Sequence, residues 1–68
     1  MNIEFAPRSE IEMTYGEAIL YCRFLECNER RDWRMPTIEE WRLYNFSWSW
    51  YIDRKTDYMW CVTPVRDI

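Results

Sequence analysis

The stretch Asp32-Trp33-Arg34-Met35-Pro36-Thr37-Ile38-Glu39-Glu40-Trp41 decides how this chain folds. Pro36 cannot sit inside a helix, and it pushes Met35 into an extended conformation. Thr37 is then a good N-cap, and Glu40 three residues on completes a capping box. Pro36 and Trp41 stand at the two positions of a hydrophobic staple. A charge on either side of Trp33 predicts an inward ring, with Asp32 and Arg34 pointing out.

A second signal of the same kind lies upstream. Thr14-Tyr15-Gly16-Glu17 is another capping box, with Met13 and Ala18 at its staple positions. The spacing predicts a helix over 15–27, with Ala18, Ile19, Cys22 and Leu25 as its inward stripe, widened by Tyr21 and Phe24. Asn28 is placed to cap it in the left-handed conformation. The second helix is expected over 38–44, facing the core through Ile38, Trp41 and either Tyr44 or Asn45, with Asn45 placed to end it.

Strands are read from alternation. Residues 2–5 predict a short strand with Ile3 and Phe5 inward, and 10–13 an edge strand with Ile11 and Met13 apolar. Phe46-Ser47-Trp48-Ser49-Trp50-Tyr51-Ile52 alternates, which predicts a strand with Phe46, Trp48, Trp50 and Ile52 on one face. Residues 53–57 read as a polar turn and 58–63 as the returning strand, which Pro64 limits. The expected fold is α+β: two helices packed on a small, mainly antiparallel sheet, in a single domain over 1–68.

Composition bounds the function. A chain of 68 residues buries only about 60% of the surface its unfolded form exposes. Five Trp, five Tyr and three Phe make a dense core and leave rings over for the surface. The net charge is −3, and no basic face suggests nucleic acid. Eight of the nine cations are Arg, the residue that pairs bidentately with carboxylates and is enriched at interfaces. The three cysteines read as free thiols in a reducing compartment, hence cytoplasmic. No apolar segment reads as a signal peptide or reaches the ~20 residues that span a bilayer.

Catalysis finds little support. There is no His to serve as a base. Cys22 and Cys61 read as small core hydrophobes, and a Cys27 thiolate at a helix end would face the negative end of the dipole. Cys22 and Cys27 do not have a zinc spacing. Glu39 and Glu40 suit a first helical turn, and Glu10 and Glu12 protect an edge. No cofactor or metal is expected.

The pieces Ala18…Tyr21-Cys22, Trp33-Arg34-Met35-Pro36-Thr37, Ser47-Trp48-Ser49 and Thr63-Pro64-Val65-Arg66-Asp67 resemble the C-type-lectin-like fold of the formylglycine-generating (sulfatase-modifying) superfamily. They resemble more closely its phage and bacterial lectin-like relatives of unassigned function. The resemblance implies paired N- and C-terminal strands with two helices on the sheet. The oxidising members need a late cysteine pair, and only Cys61 stands there, so their activity does not carry over.

The expected function is a non-catalytic protein-binding module. If phage-encoded, it would act in the host cytoplasm, docking on a host protein and modulating or inhibiting it. The alternative is a self-associating structural subunit, for example of a virus particle; a carbohydrate or small-ligand binder ranks below both. Too short for an enclosed pocket, the chain is expected to bind through Arg42, Tyr44, Tyr51, Arg54 and Met59, with Tyr51 and Met59 on the solvent side of the 46–63 hairpin.

Overall fold

The computed structural model describes residues 2–68. It is an α+β domain with the order β1 (Ile3–Phe5), α1 (Tyr15–Phe24), α2 (Ile38–Leu43) and β2 (Val65–Asp67). β1 and β2 pair antiparallel, with Ile3 opposite Asp67, Glu4 opposite Arg66 and Phe5 opposite Val65.

The spine of the fold is the extended segment 60–67. On one edge it holds the N-terminal segment: Ala6 N–H donates to Pro64 O, Ser9 N–H to Val62 O, and Met13 and Trp60 exchange both backbone bonds. The buried Ser9 hydroxyl accepts from Val62 N–H at 3.0 Å and donates to Ile11 O at 2.9 Å. On the other edge Arg34 and Val65 exchange both backbone bonds, at 2.7 and 2.8 Å. The turn before α2 is thereby stitched to the C-terminal strand.

Both capping boxes form. Thr14 Oγ1 accepts from Glu17 N–H, and Glu17 Oε1 accepts from Thr14 N–H at 2.8 Å. These bonds hold the Glu17 carboxyl below its usual range. Thr37 and Glu40 repeat the arrangement. The staple residues Met13, Ala18 and Pro36 are buried and Trp41 is half-buried. Gly16 stands in the first turn of α1, where an added Cβ would meet nothing. Gly16→Ala should therefore stabilise the domain by roughly 0.5–1 kcal/mol, measured as a shift of the urea midpoint at constant slope.

The helices end earlier than the spacing predicts. Leu25 adopts an extended backbone and closes α1. Asn28 is left-handed as expected, at φ 54°, but together with Glu29 at φ 63° it makes a tight turn. Cys27 and Arg30 exchange both backbone bonds across it, the pattern of a two-residue hairpin turn. Cys27 therefore lies off the helix, and the dipole argument does not apply to it. α2 ends at Leu43 with Tyr44 as its C-cap, and Asn45 follows in the left-handed conformation at φ 56°. Phe46 N–H then donates to Trp41 O, the long bond of a Schellman cap.

The core is Met13, Ala18, Cys22, Met35, Trp50 and Val62, with Tyr15, Tyr21 and Trp60 packed against it. Of the predicted helix stripe only Ala18 and Cys22 are buried; Ile19 and Phe24 are exposed, and Leu25 is half-buried. Phe5 is exposed as well, and the edge strand expected over 10–13 does not form: only Met13 pairs, in an isolated bridge to Trp60, while Ile11 is exposed. Phe5 instead meets Tyr44 and Phe46 edge-on, at 5.1 and 5.5 Å.

The expected 46–63 hairpin is absent. Ser49 and Cys61 form a single parallel bridge, and a parallel contact cannot belong to a hairpin. Trp60 and Val62 pair on one edge with Met13 and Ser9, and the opposite edge meets this loop through the Trp50 N–H bond to Cys61 O. Residues 44–54 are a chain of turns, with Asn45, Trp48 and Asp53 all at positive φ. Trp50 is fully buried, while Trp48, predicted to share its face, is 69% exposed.

Trp33 is buried, as its flanking charges predict, and its indole donates to Arg30 O at 3.1 Å. Arg34 does not point freely into water. It grips the buried Glu40 with two bonds of 2.8 and 2.9 Å and Asp67 with a third of 2.8 Å. Arg66 likewise joins Glu4 and Asp32. Two arginines thus fasten the turn at 32–34 and helix α2 to the paired terminal strands.

Candidate aromatic and arginine site

Arg54 is the centre of the largest aromatic assembly on the surface. The turn at 51–54, closed by Arg54 N–H donating to Tyr51 O, brings it back over the end of α2. Its Nη1 donates to Ser49 O at 2.9 Å. The guanidinium lies 4.2 Å from the ring centre of Trp60, 5.2 Å from Tyr51 and 5.5 Å from Trp41. Trp41 and Tyr51 pack at 5.0 Å. Trp48 stacks on Trp60 at 5.2 Å with the planes 21° apart, and Tyr58 meets Trp60 edge-on at 6.2 Å.

Each component has a local cause. Trp41 is placed by the staple of α2, and Trp60 by its backbone pairing with Met13. Trp48 is set by an unusual backbone: its φ is 57°, a conformation that costs a bulky residue roughly 1–2 kcal/mol. The indole N–H groups of Trp41 and Trp60 are buried without a partner, and an unsatisfied buried donor costs about 1–3 kcal/mol. Backbone strain and unpaired donors thus gather in one cluster.

Trp41, Ser47, Trp48 and Arg54 line an open concavity of about 330 Å³. A second, of about 380 Å³, lies between α1 and the 33–35 turn, bounded by Tyr15, Ile19, Cys22, Trp33, Met35 and Ile52 among others. Both are open grooves at the small end of the ligand-site range of about 300–1,000 Å³. The second is mainly apolar, and its floor includes Cys22, whose thiol burial pushes up to about 12. That thiol is not a nucleophile near neutral pH. The cysteines are free, Cys22 buried and Cys27 and Cys61 half-buried. Among the described residues, no group of three or more Cys, Asp or Glu is placed to hold a metal ion, and no helix is long and apolar enough to cross a membrane.

The structure divides the five residues singled out from the sequence. Tyr51 and Arg54 meet in the cluster. Tyr44 belongs to a separate group with Phe5 and Phe46. Arg42 and Met59 are exposed, and without the hairpin Tyr51 and Met59 do not share a strand face. Sequence reasoning missed the participation of Trp41, Trp48 and Trp60, which alternation and staple rules assign to the core. It also missed Arg8, whose Nη2 donates to Trp48 O at 3.0 Å across forty residues of chain. No local signal in the sequence marks Arg8.

The arrangement offers flat π faces with a guanidinium held over three of them. Compared with protein-family models, curated proteins and solved structures, the chain matches none.

Proposed function

We propose that this chain is a non-catalytic module that binds another protein through the surface built by Trp48, Tyr58, Trp60 and Arg54. The observation that carries the reading is Trp48: an indole 69% exposed, held on a strained backbone and stacked on a second indole. Trp, Tyr and Arg dominate interface energies, and an exposed indole stacked on a half-buried one beside a guanidinium forms a ready anchor for a partner. The sequence resemblance supports reading it as a minimal C-type-lectin-like domain. If the chain is phage-encoded, the partner is a host protein met in the host cytoplasm, which the module inhibits or modulates. Self-association is the second reading, favoured by the apolar groove in which Ile19 and Ile52 are both exposed.

Trp48→Gly tests the reading cleanly. Glycine relieves the left-handed strain, which offsets the lost stacking of about 0.5–1.5 kcal/mol. The thermal midpoint should therefore move by no more than about 5 °C. Affinity for a partner captured from a host lysate by the wild-type chain should fall by roughly 30-fold or more. Full-strength capture by the folded variant overturns the assignment of the surface. A stable oligomer by light scattering, with nothing captured, replaces it with the self-associating subunit.

A further inference from the structure

Resting on that reading, we infer that the Trp41–Ser47–Trp48–Arg54 concavity receives an acidic peptide segment of the partner, carboxylates toward Arg8 and Arg54 and an apolar or aromatic side chain against Trp48.

The argument begins with how the arginines are used. Arg31, Arg34 and Arg66 each pair with a carboxylate of this chain. Among the described residues Arg23, Arg30 and Arg42 form no ion pair, and neither do Arg8 and Arg54. The last two are nevertheless held in place. Arg8 donates to the carbonyl of Trp48 and Arg54 to the carbonyl of Ser49, so two guanidinium groups are anchored to consecutive backbone oxygens. Each spends one of its five N–H donors in that anchor, and the remaining donors of a planar fork suit a carboxylate.

Pre-positioned cations lower the ordering cost that a free arginine would meet on binding. The stacked Trp48 and Trp60 indoles beside Arg54 supply apolar area. The concavity is about 330 Å³, room for one large side chain rather than a folded surface. The net charge of −3 disfavours a polyanion with one charge on every residue, and a short acidic segment that brings its own apolar side chain avoids most of that repulsion.

The probe is a random Glu–Tyr copolymer, titrated against the full chain with tryptophan fluorescence excited at the red edge of the indole band. A Lys–Tyr copolymer and oligo-dT serve as comparisons. The Glu–Tyr copolymer should bind, weaken as salt rises, and lose about tenfold in affinity in Arg8→Gln. Arg8 is exposed, so this variant should keep the wild-type melting curve; Arg54→Gln should lose as much, read only if its melt is also intact. Trp48→Gly should remove the fluorescence response. No binding of the Glu–Tyr copolymer overturns the inference, as does equal binding of the Lys–Tyr copolymer or an unchanged affinity in Arg8→Gln. Tighter binding of oligo-dT replaces the peptide with single-stranded nucleic acid. The protein-binding reading fails separately: if Trp48→Gly loses a captured partner while Arg8→Gln retains it in full, the surface stands and only its acidic preference falls.

Discussion

Trp50→Ala should leave little folded protein at room temperature. Trp50 is the largest fully buried side chain in the domain. Its ring meets Tyr15 edge-on at 5.4 Å, and its indole donates to Met13 O at 2.7 Å. Its own backbone N–H donates to Cys61 O. The side chain therefore ties the start of α1 to the 60–67 spine from the middle of a loop. Truncation of a buried Trp to Ala costs roughly 3–5 kcal/mol. A chain of this length has a total stability of only about 3–10 kcal/mol. Trp50→Phe separates volume from hydrogen bonding. Met13 O keeps its second donor, Trp60 N–H, so that variant should lose only about 1–2 kcal/mol. Urea unfolding followed by tryptophan fluorescence measures both. A loss below about 1 kcal/mol in Trp50→Ala would show that the core closes without the ring.

Trp50 also shows why part of this fold is legible in the sequence and part is not. Capping boxes are local: Thr14 with Glu17 and Thr37 with Glu40 close within one turn, and both helix starts follow from them. Helix ends depend on what comes next, and at Leu25 the chain leaves α1 to reach the Asn28–Glu29 turn. Alternation over 46–52 is an ambiguous signal: in the turns that form there the adjacent Ser49 and Trp50 are buried, while Trp48 and Ile52 are exposed. The outcome is settled by pairing far along the chain. Residues 6–13 occupy one edge of the spine, and that pairing is invisible in residues 46–63 themselves.

The same distinction holds for the candidate site. Tyr51 and Arg54 are singled out in the sequence on a hairpin that does not form, and they meet instead across the 51–54 turn. Trp48 could not be singled out, because its exposure follows from a left-handed backbone on a residue that rarely adopts one. Arg8 could not, because it reaches Trp48 only through the pairing of the N-terminal segment with the spine. Arg34 was legible as a charge beside Trp33, but its double grip on Glu40 and Asp67 requires the terminal strand to be in place.

Glu40→Ala should cost roughly 3–5 kcal/mol, with a pH signature that identifies the cause. Glu40 is almost wholly buried, yet both carboxylate oxygens are used. Oε1 accepts from Arg34 at 2.8 Å and from Thr37 N–H at 2.8 Å, and Oε2 accepts from Arg34 at 2.9 Å. One residue thus closes the capping box of α2 and holds the arginine that reaches Asp67 on β2. The Arg34 guanidinium is the main cause that brings the Glu40 carboxyl down to about 2 from its ordinary 4.5, and the Thr37 bonds add to it against the opposing effect of burial. A carboxyl lowered on folding stabilises the folded state fully above its unfolded pKa and loses that contribution as pH falls through the folded one. The window is therefore pH 4.5 down to about 2, and the stability lost across it is at most about 3 kcal/mol. Arg34 is itself about one-third exposed, so solvent screening trims that figure. Asp67 and Asp32 are also held low by Arg34 and Arg66, so the wild-type curve falls for several reasons at once. The comparison that isolates Glu40 is Glu40→Gln, which keeps the shape of the side chain and has no charge to lose. Near neutral pH the variant should be the less stable chain, and the gap should shrink as pH falls through that window. A gap that stays constant across it would mean that Glu40 stabilises the fold through packing and capping alone, and that the ion pair with Arg34 contributes nothing net.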